Sequence, residues 1–145
     1  MKKYLYYILQ FTWGIFTNIL GLLLFLICKF ILRWKCYKFY KNIVIYPIKH
    51  KLNAGMSLGI FIFADKDSSL LQHEYGHSIQ NLIFGPLFLL VIGIPSFIRS
   101  LYFTFVINKL NLRPGVNSYY NIWFEADASA LGRHALYNKK WDWLI

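Results

Sequence analysis

Apolar residues fill the chain from residue 4 to residue 28, and no charged side chain interrupts them. About 20 such residues in a helix are enough to cross the hydrocarbon layer of a membrane. The run is longer than the apolar part of a secretory signal peptide, and it ends in a basic segment that begins at Lys29. We therefore predict an uncleaved N-terminal transmembrane helix that serves as an anchor over residues 1–33.

Two later segments carry the pattern of β-strands. Residues 42–48 hold a run of isoleucine, valine and tyrosine before the breaker Pro47. In residues 56–63, aliphatic side chains recur with a period of two. We predict that these two segments supply a short β-hairpin.

A helical segment should follow the second strand. Asp67 and Ser68 are good N-cap residues, and Gly85 with Pro86 forms a stop signal. The sequence therefore predicts one helix between these two boundaries.

A second uncharged run covers residues 81–98, but Gly93 and Pro95 interrupt it. Broken apolar segments are tolerated at membrane depth where they pack against protein. Over about residues 84–107 we expect two short helices in a re-entrant or buried apolar hairpin. After a polar turn, the pattern predicts a final helix over residues 118–137.

Composition supports a membrane protein. Hydrophobic residues make up 57% of the chain and charged residues 15%, against roughly a quarter in soluble domains. The net charge is +10, but the basic side chains are concentrated after the first helix, where they favour anionic lipid headgroups. No recognition motif suggests nucleic acid, so we expect membrane lipids as partners. The basic residues concerned are Lys29, Arg33, Lys35, Lys38, Lys41, Lys49 and Lys51.

The predicted helix contains an HExxH motif made of His73, Glu74 and His77. On a helix this spacing places both imidazoles on one face, one turn apart, where they can bind the same zinc ion. The glutamate between them then lies beside the water that zinc activates. The motif therefore indicates a zinc site, with Glu74 as the catalytic residue.

Catalytic zinc sites use three protein ligands, so a third residue is needed. The chain has only six acidic residues. Three of the other five lie at the start of the motif helix or in the C-terminal tail, which leaves Glu125 and Asp127.

The segment around Glu125 resembles the gluzincin metallopeptidases, thermolysin and its relatives. In that group a second helix supplies a glutamate ligand, and an aspartate one turn later steadies a motif histidine. The resemblance implies Glu125 as the third zinc ligand, with Ser129 in place of the aspartate. In the register of the CAAX prenyl endopeptidases the ligand position falls on Trp123, which cannot bind zinc. Asp127 therefore remains a fallback ligand or a support for one.

The HEYGH form of the motif is similar to that of site-2 proteases, whose second motif this chain lacks. A group of uncharacterised bacterial membrane proteins also shares it, together with Gly-Pro-Leu at residues 85–87 and Gly-x-Pro-Ser at residues 93–96. The resemblance covers roughly residues 52–132. It implies a membrane metallopeptidase with no established substrate. From the sequence as a whole we predict a mainly α-helical protein embedded in the bacterial cytoplasmic membrane, with a zincin-like pair of metal-binding helices in a domain over residues 34–145.

The function expected from these residues is hydrolysis of a peptide or protein substrate, with Glu74 as general base. Tyr119, Tyr120 and His134 are candidates to stabilise the oxyanion. A zinc hydrolase that acts on lipid or another amide would use the same ligands. The rival hypothesis is an inactive zincin-like scaffold or partner-binding protein, which the replacement of the aspartate by Ser129 keeps open.

Overall fold

The structure is a computed structural model that describes residues 3–48, 55–107 and 120–137. It is mainly helical, with a small mixed sheet. Its regular elements are α1 (Lys3–Thr12), α2 (Ile15–Leu26), β1 (Lys35–Phe39), β2 (Asn42–Tyr46), β3 (Met56–Leu58), β4 (Phe61–Phe63), α3 (Ser68–Phe84), α4 (Ile94–Leu101) and α5 (Trp123–Tyr137). A π-helical turn, Ile27–Ile31, extends α2, and two others, Leu89–Gly93 and Tyr102–Ile107, flank α4.

The apolar run at the N-terminus forms two helices, where the sequence predicts one. The axes of α1 and α2 are bent by 92° at the break around Trp13 and Gly14. Among the residues that the structure describes, no single helix is long and apolar enough to cross a membrane. This bent pair passes that test of length and composition as a unit, and so does α3 taken with the helix that follows it.

Buried amide side chains explain the bend. Asn18 donates to the backbone oxygen atoms of Gln10 (2.8 Å) and Gly14 (2.9 Å), which folds α2 back onto the end of α1. Gln10 in turn donates to the backbone oxygen of Ser78 in α3 (3.1 Å) and accepts from Asn81 (2.7 Å). A buried amide costs free energy unless it is hydrogen-bonded, so these side chains tie the N-terminal helices to α3.

The sheet has the order β1-β2-β4-β3. The pairs β1–β2 and β3–β4 are antiparallel, while β2 and β4 are parallel. The predicted hairpin between residues 42–48 and 56–63 is therefore wrong in its pairing. The structure instead has two hairpins that are joined through their inner strands.

Two local features account for this difference. Gly59, with φ of 63°, turns the chain in the middle of the predicted second strand, and the Asn18 side chain accepts from the Ile60 N–H in that turn (2.9 Å). The first strand, β1, comes from the basic segment. Its lysines Lys35 and Lys38 are exposed, as is common on an edge strand.

Helix α3 confirms the predicted boundaries. One carboxylate oxygen of Asp67 accepts from the N–H groups of Ser69 (2.8 Å) and Leu70 (3.1 Å), which caps the first turn. At the other end Gly85 adopts φ of 53°, and the Trp13 indole occupies the space that a Cβ would fill. Only glycine fits there, so the helix ends where Trp13 packs.

The segment that follows α3 turns away sharply, with a bend of 118°. The predicted break at Gly85 and Pro86 is confirmed, but the second break, at Gly93 and Pro95, is wrong. The chain stays helical because a wider π-helical turn, closed by a bond from Ile94 N–H to the Leu89 oxygen, precedes the proline. Phe88 and Ile92 in this segment pack against Phe124, which brings the start of α5 back to α3.

Candidate metal centre

Helices α3 and α5 approach each other at two glycines. A Cβ at Gly76 would lie 2.6 Å from the carbonyl carbon of Ala128, and a Cβ at Gly132 would lie 2.7 Å from that of Gln72. Such distances are shorter than any real contact between carbon atoms, so only glycine allows the two backbones to come this close. The glycine of HEYGH therefore sets the spacing between the motif helix and its partner.

This close packing brings the three predicted ligands together. The Oε2 atom of Glu125 lies 2.9 Å from His73 Nε2 and 3.5 Å from His77 Nε2. All three side chains are buried, and their ligand atoms lie within 4.8 Å of one another. Tetrahedral bonds of about 2 Å to a single ion place the ligand atoms about 3.3 Å apart, and the two distances from Glu125 lie on either side of this value. His73, His77 and Glu125 could therefore hold a metal ion.

Ser129 orients the first histidine. Its hydroxyl group donates its single hydrogen to the backbone oxygen of Glu125 (3.0 Å), so it can only accept from His73 Nδ1 (2.9 Å). The neutral form of His73 would thus carry its proton on Nδ1, which leaves the Nε2 lone pair for a metal ion. Ser129 therefore contacts His73 from the same helix that carries Glu125.

Gln80 orients the second histidine. Its amide nitrogen donates to the Phe124 backbone oxygen (2.9 Å) and to an Asp127 carboxylate oxygen (3.1 Å). Its oxygen then accepts from His77 Nδ1 (2.8 Å), which leaves the Nε2 of His77 available to a metal. Asp127 therefore supports His77 through Gln80 and is not among the three converging side chains.

The charge in this pocket favours a cation. Glu74 and Glu125 are both buried, and neither Oε2 atom has a hydrogen-bond partner within the described parts of the chain. With both histidines neutral, two negative charges would remain uncompensated, at a cost of several kcal/mol each. A divalent cation between these groups removes that cost, so the residues present fit a bound metal.

The pKa values of the ligands show how strongly they interact. Burial by itself would raise the pKa of Glu125, but its contacts with the His73 and His77 imidazoles lower it well below its ordinary value. Burial lowers the pKa of His77, but the Glu125 carboxylate raises it. The pKa of His77 therefore lies above its ordinary value. A proton shared between these groups thus competes with a metal ion for the site.

Glu74 is buried beside the three converging side chains. Its carboxylate packs against Gly55. A Cβ added to Gly55 would lie 2.7 Å from the Glu74 carboxyl carbon. Burial raises the pKa of Glu74, and the neighbouring His77 and His73 oppose the rise only in part. Glu74 is not one of the three converging ligands, so its carboxylate remains available for proton transfer.

The other carboxylate oxygen of Glu125 has a partner in α4. The Ser96 hydroxyl donates to Glu125 Oε1 at 2.6 Å. Ser96 belongs to the Gly-x-Pro-Ser step of the sequence, for which the motif alone indicates no role.

The structure describes two of the three candidate oxyanion stabilisers. The Tyr120 ring lies 5.1 Å from the His73 ring, and burial together with the Glu74 and Glu125 carboxylates raises the pKa of Tyr120. Its hydroxyl group therefore remains a donor. His134 is exposed and lies nine residues after Glu125, which is about 13 Å along the helix. Tyr119 lies outside the described residues.

Sequence reasoning did not identify Gln80 as a functional residue. Gln80 follows His77 by three positions, so it lies on the same face of α3, and that spacing was an available signal. Comparisons with protein-family models, with curated proteins and with solved structures find no match for this chain.

Proposed function

We propose that this protein is a membrane-associated zinc metallopeptidase. The observation that carries the proposal is the convergence of His73 Nε2, His77 Nε2 and Glu125 Oε2 next to the buried Glu74 carboxylate. Two imidazoles and one carboxylate are the donor set of catalytic zinc sites, whereas structural zinc sites are rich in cysteine. Both cysteines of the chain, Cys28 and Cys36, lie outside this group.

The chemistry that zinc supplies in a three-ligand site is acidification of water and polarisation of a carbonyl group. Glu74 would accept the proton from the attacking water and return it to the leaving amine. A carboxylate with a raised pKa suits both steps, because a general base works best when its pKa is close to the working pH.

The surroundings of Glu74 favour a peptide as the substrate. Gly55, against which Glu74 packs, directly precedes β3, one of the two edge strands of the described sheet. An extended peptide can pair with such an edge through backbone hydrogen bonds and lie beside the metal. Tyr120 would then donate to the oxyanion from the His73 side.

Association with a membrane is supported by the apolar surface. Large apolar side chains are exposed along both bent helix pairs. A soluble monomer rarely leaves a surface of this kind uncovered. We expect the protein to sediment with membranes and to require detergent for extraction, whereas release by high salt would contradict the proposal. The exposed side chains include Phe16, Ile19, Leu23 and Leu26 of α2, and Ile94, Phe97, Ile98 and Leu101 of α4.

Metal analysis of the purified protein tests the site. The wild type should contain one zinc per chain, and both His77→Ala and Glu125→Ala should lose most of it. His134→Ala, which removes an exposed histidine on the same helix as Glu125, serves as the control and should retain zinc. Stoichiometric zinc in Glu125→Ala would contradict the three-ligand site.

Activity is tested separately from metal binding. Cells that produce the wild type should contain peptide fragments that are missing when Glu74→Gln replaces it. If Glu74→Gln binds zinc and the fragments do not change, the protein is an inactive scaffold and the peptidase proposal fails.

A further inference from the structure

Ser96 lies in the first turn of α4, on the apolar segment that follows α3. A hydroxyl group carries one hydrogen, and helical serines often use it on the backbone of their own helix. Ser96 instead donates it to Glu125 Oε1, across 29 positions of sequence. The distance of 2.6 Å is typical of a hydrogen bond from a hydroxyl group to a charged carboxylate, which is a strong type.

The two carboxylate oxygens of Glu125 have different partners because of this bond. Oε1 accepts from Ser96, while Oε2 faces His73 and His77. The last side-chain torsion of Glu125 is intrinsically broad, so without the bond only packing and the two histidines would limit its rotation. The hydroxyl therefore selects a single carboxylate oxygen for the metal.

We infer that Ser96 is a positioning residue, which holds Glu125 with one oxygen toward the metal and makes the apolar segment part of the metal centre. This inference rests on the metal site of the proposed function, but it does not require that the protein cleave peptides. Partners that orient a ligand in this way commonly change metal affinity by about 10–100-fold when they are removed.

The test is a zinc titration of the full-length, detergent-purified protein against a chelator of known affinity. We expect Ser96→Ala to bind zinc about 10–100-fold more weakly than the wild type. Ser96→Thr keeps the hydroxyl group and should bind within a few-fold of the wild type. Ser100→Ala removes a partly buried hydroxyl one turn further along α4 and should leave the affinity unchanged.

The visible absorption spectrum of bound cobalt is a second measurement, and a general loss of stability does not change it. In the wild type, one oxygen of Glu125 should give a four-coordinate ion with strong visible absorption. In Ser96→Ala the freed carboxylate can bind through both oxygens, which raises the coordination number and weakens the absorption bands. Ser96→Thr should keep the spectrum of the wild type.

The outcomes separate the two proposals. Wild-type affinity and an unchanged cobalt spectrum in Ser96→Ala would overturn the role of Ser96 and leave the metal site in place. Equal losses in Ser96→Thr and Ser96→Ala would also overturn it, because the hydroxyl group would then not be the cause. Failure of the wild type to bind zinc or cobalt would overturn the metal site and this inference with it.

Discussion

Replacing Gly76 with alanine tests how the metal centre is assembled. The added methyl group would lie 2.6 Å from the Ala128 carbonyl carbon. Backbone atoms cannot rotate away as a side chain can, so α3 and α5 must separate by about 1 Å to restore ordinary contact between carbon atoms. The separation would occur at the residue directly before His77, opposite the turn that contains Glu125.

Two effects of Gly76→Ala on stability oppose each other. Overpacking costs about 1–3 kcal/mol, while alanine in place of glycine within a helix contributes about 1 kcal/mol. The net loss in unfolding free energy should therefore be about 0–2 kcal/mol. Metal ligands, in contrast, tolerate errors of only about 0.2 Å, so a shift of about 1 Å removes Glu125 from the ion.

The assay is zinc affinity, measured by chelator competition beside thermal unfolding of the metal-free protein. Gly76→Ala should bind zinc more than about 100-fold more weakly than the wild type, a larger effect than the loss of an orienting partner. Gly93→Ala is the control, because its Cβ would meet nothing nearer than 3.4 Å. If Gly76→Ala folds and binds zinc as tightly as the wild type, the reasoning from helix spacing is wrong.

Three further substitutions test individual groups. Glu74→Gln should retain zinc but lose about 10²–10⁴-fold in peptide hydrolysis, and unchanged hydrolysis would exclude Glu74 as the base. Gln80→Leu should weaken zinc binding about 10–100-fold because His77 loses its acceptor, and wild-type affinity in this variant would remove Gln80 from the site. The pKa of Asp67 lies below its ordinary value because the Ser69 hydroxyl and two backbone N–H groups donate to its carboxylate. The carboxylate therefore contributes its full stabilisation of the fold above the ordinary pKa, and that stabilisation is lost as the pH falls through the lowered pKa of the folded protein. Asp67→Asn should therefore match the wild type in thermal unfolding at neutral pH and lose less stability in acid, and a steeper loss in the variant would refute this.

The motif helix could be predicted from sequence because its signals are local. The cap at Asp67, the HExxH spacing and the stop at Gly85 all lie within one stretch of chain, and α3 follows them. Glu125 could be chosen from the sequence as the third ligand because acidic residues are scarce and because its segment resembles that of gluzincins. Its position beside His73 and His77 agrees with that choice.

The features that sequence did not predict depend on distant partners. Gln10 and Asn18 look like minor interruptions of an apolar helix, and their bonds to α3 and to the turn at Ile60 exist only in the folded chain. The same holds for Ser96, whose partner is 29 residues away. Strand β1 was missed because its lysines suggested a segment at the membrane surface, whereas edge strands also carry lysine.

The hydrogen bonds of Gln10 have a practical consequence for anyone who wishes to produce the metal-binding part alone. A truncated protein that starts at residue 34 would lose the acceptor of Asn81 and the donor to Ser78, both on the helix that carries the HExxH motif. It would also uncover Gly85, against which Trp13 packs. The N-terminal helices therefore pair polar groups of α3 and cover its end, and we expect a shortened version to bind metal more weakly than the full chain even though it keeps every ligand.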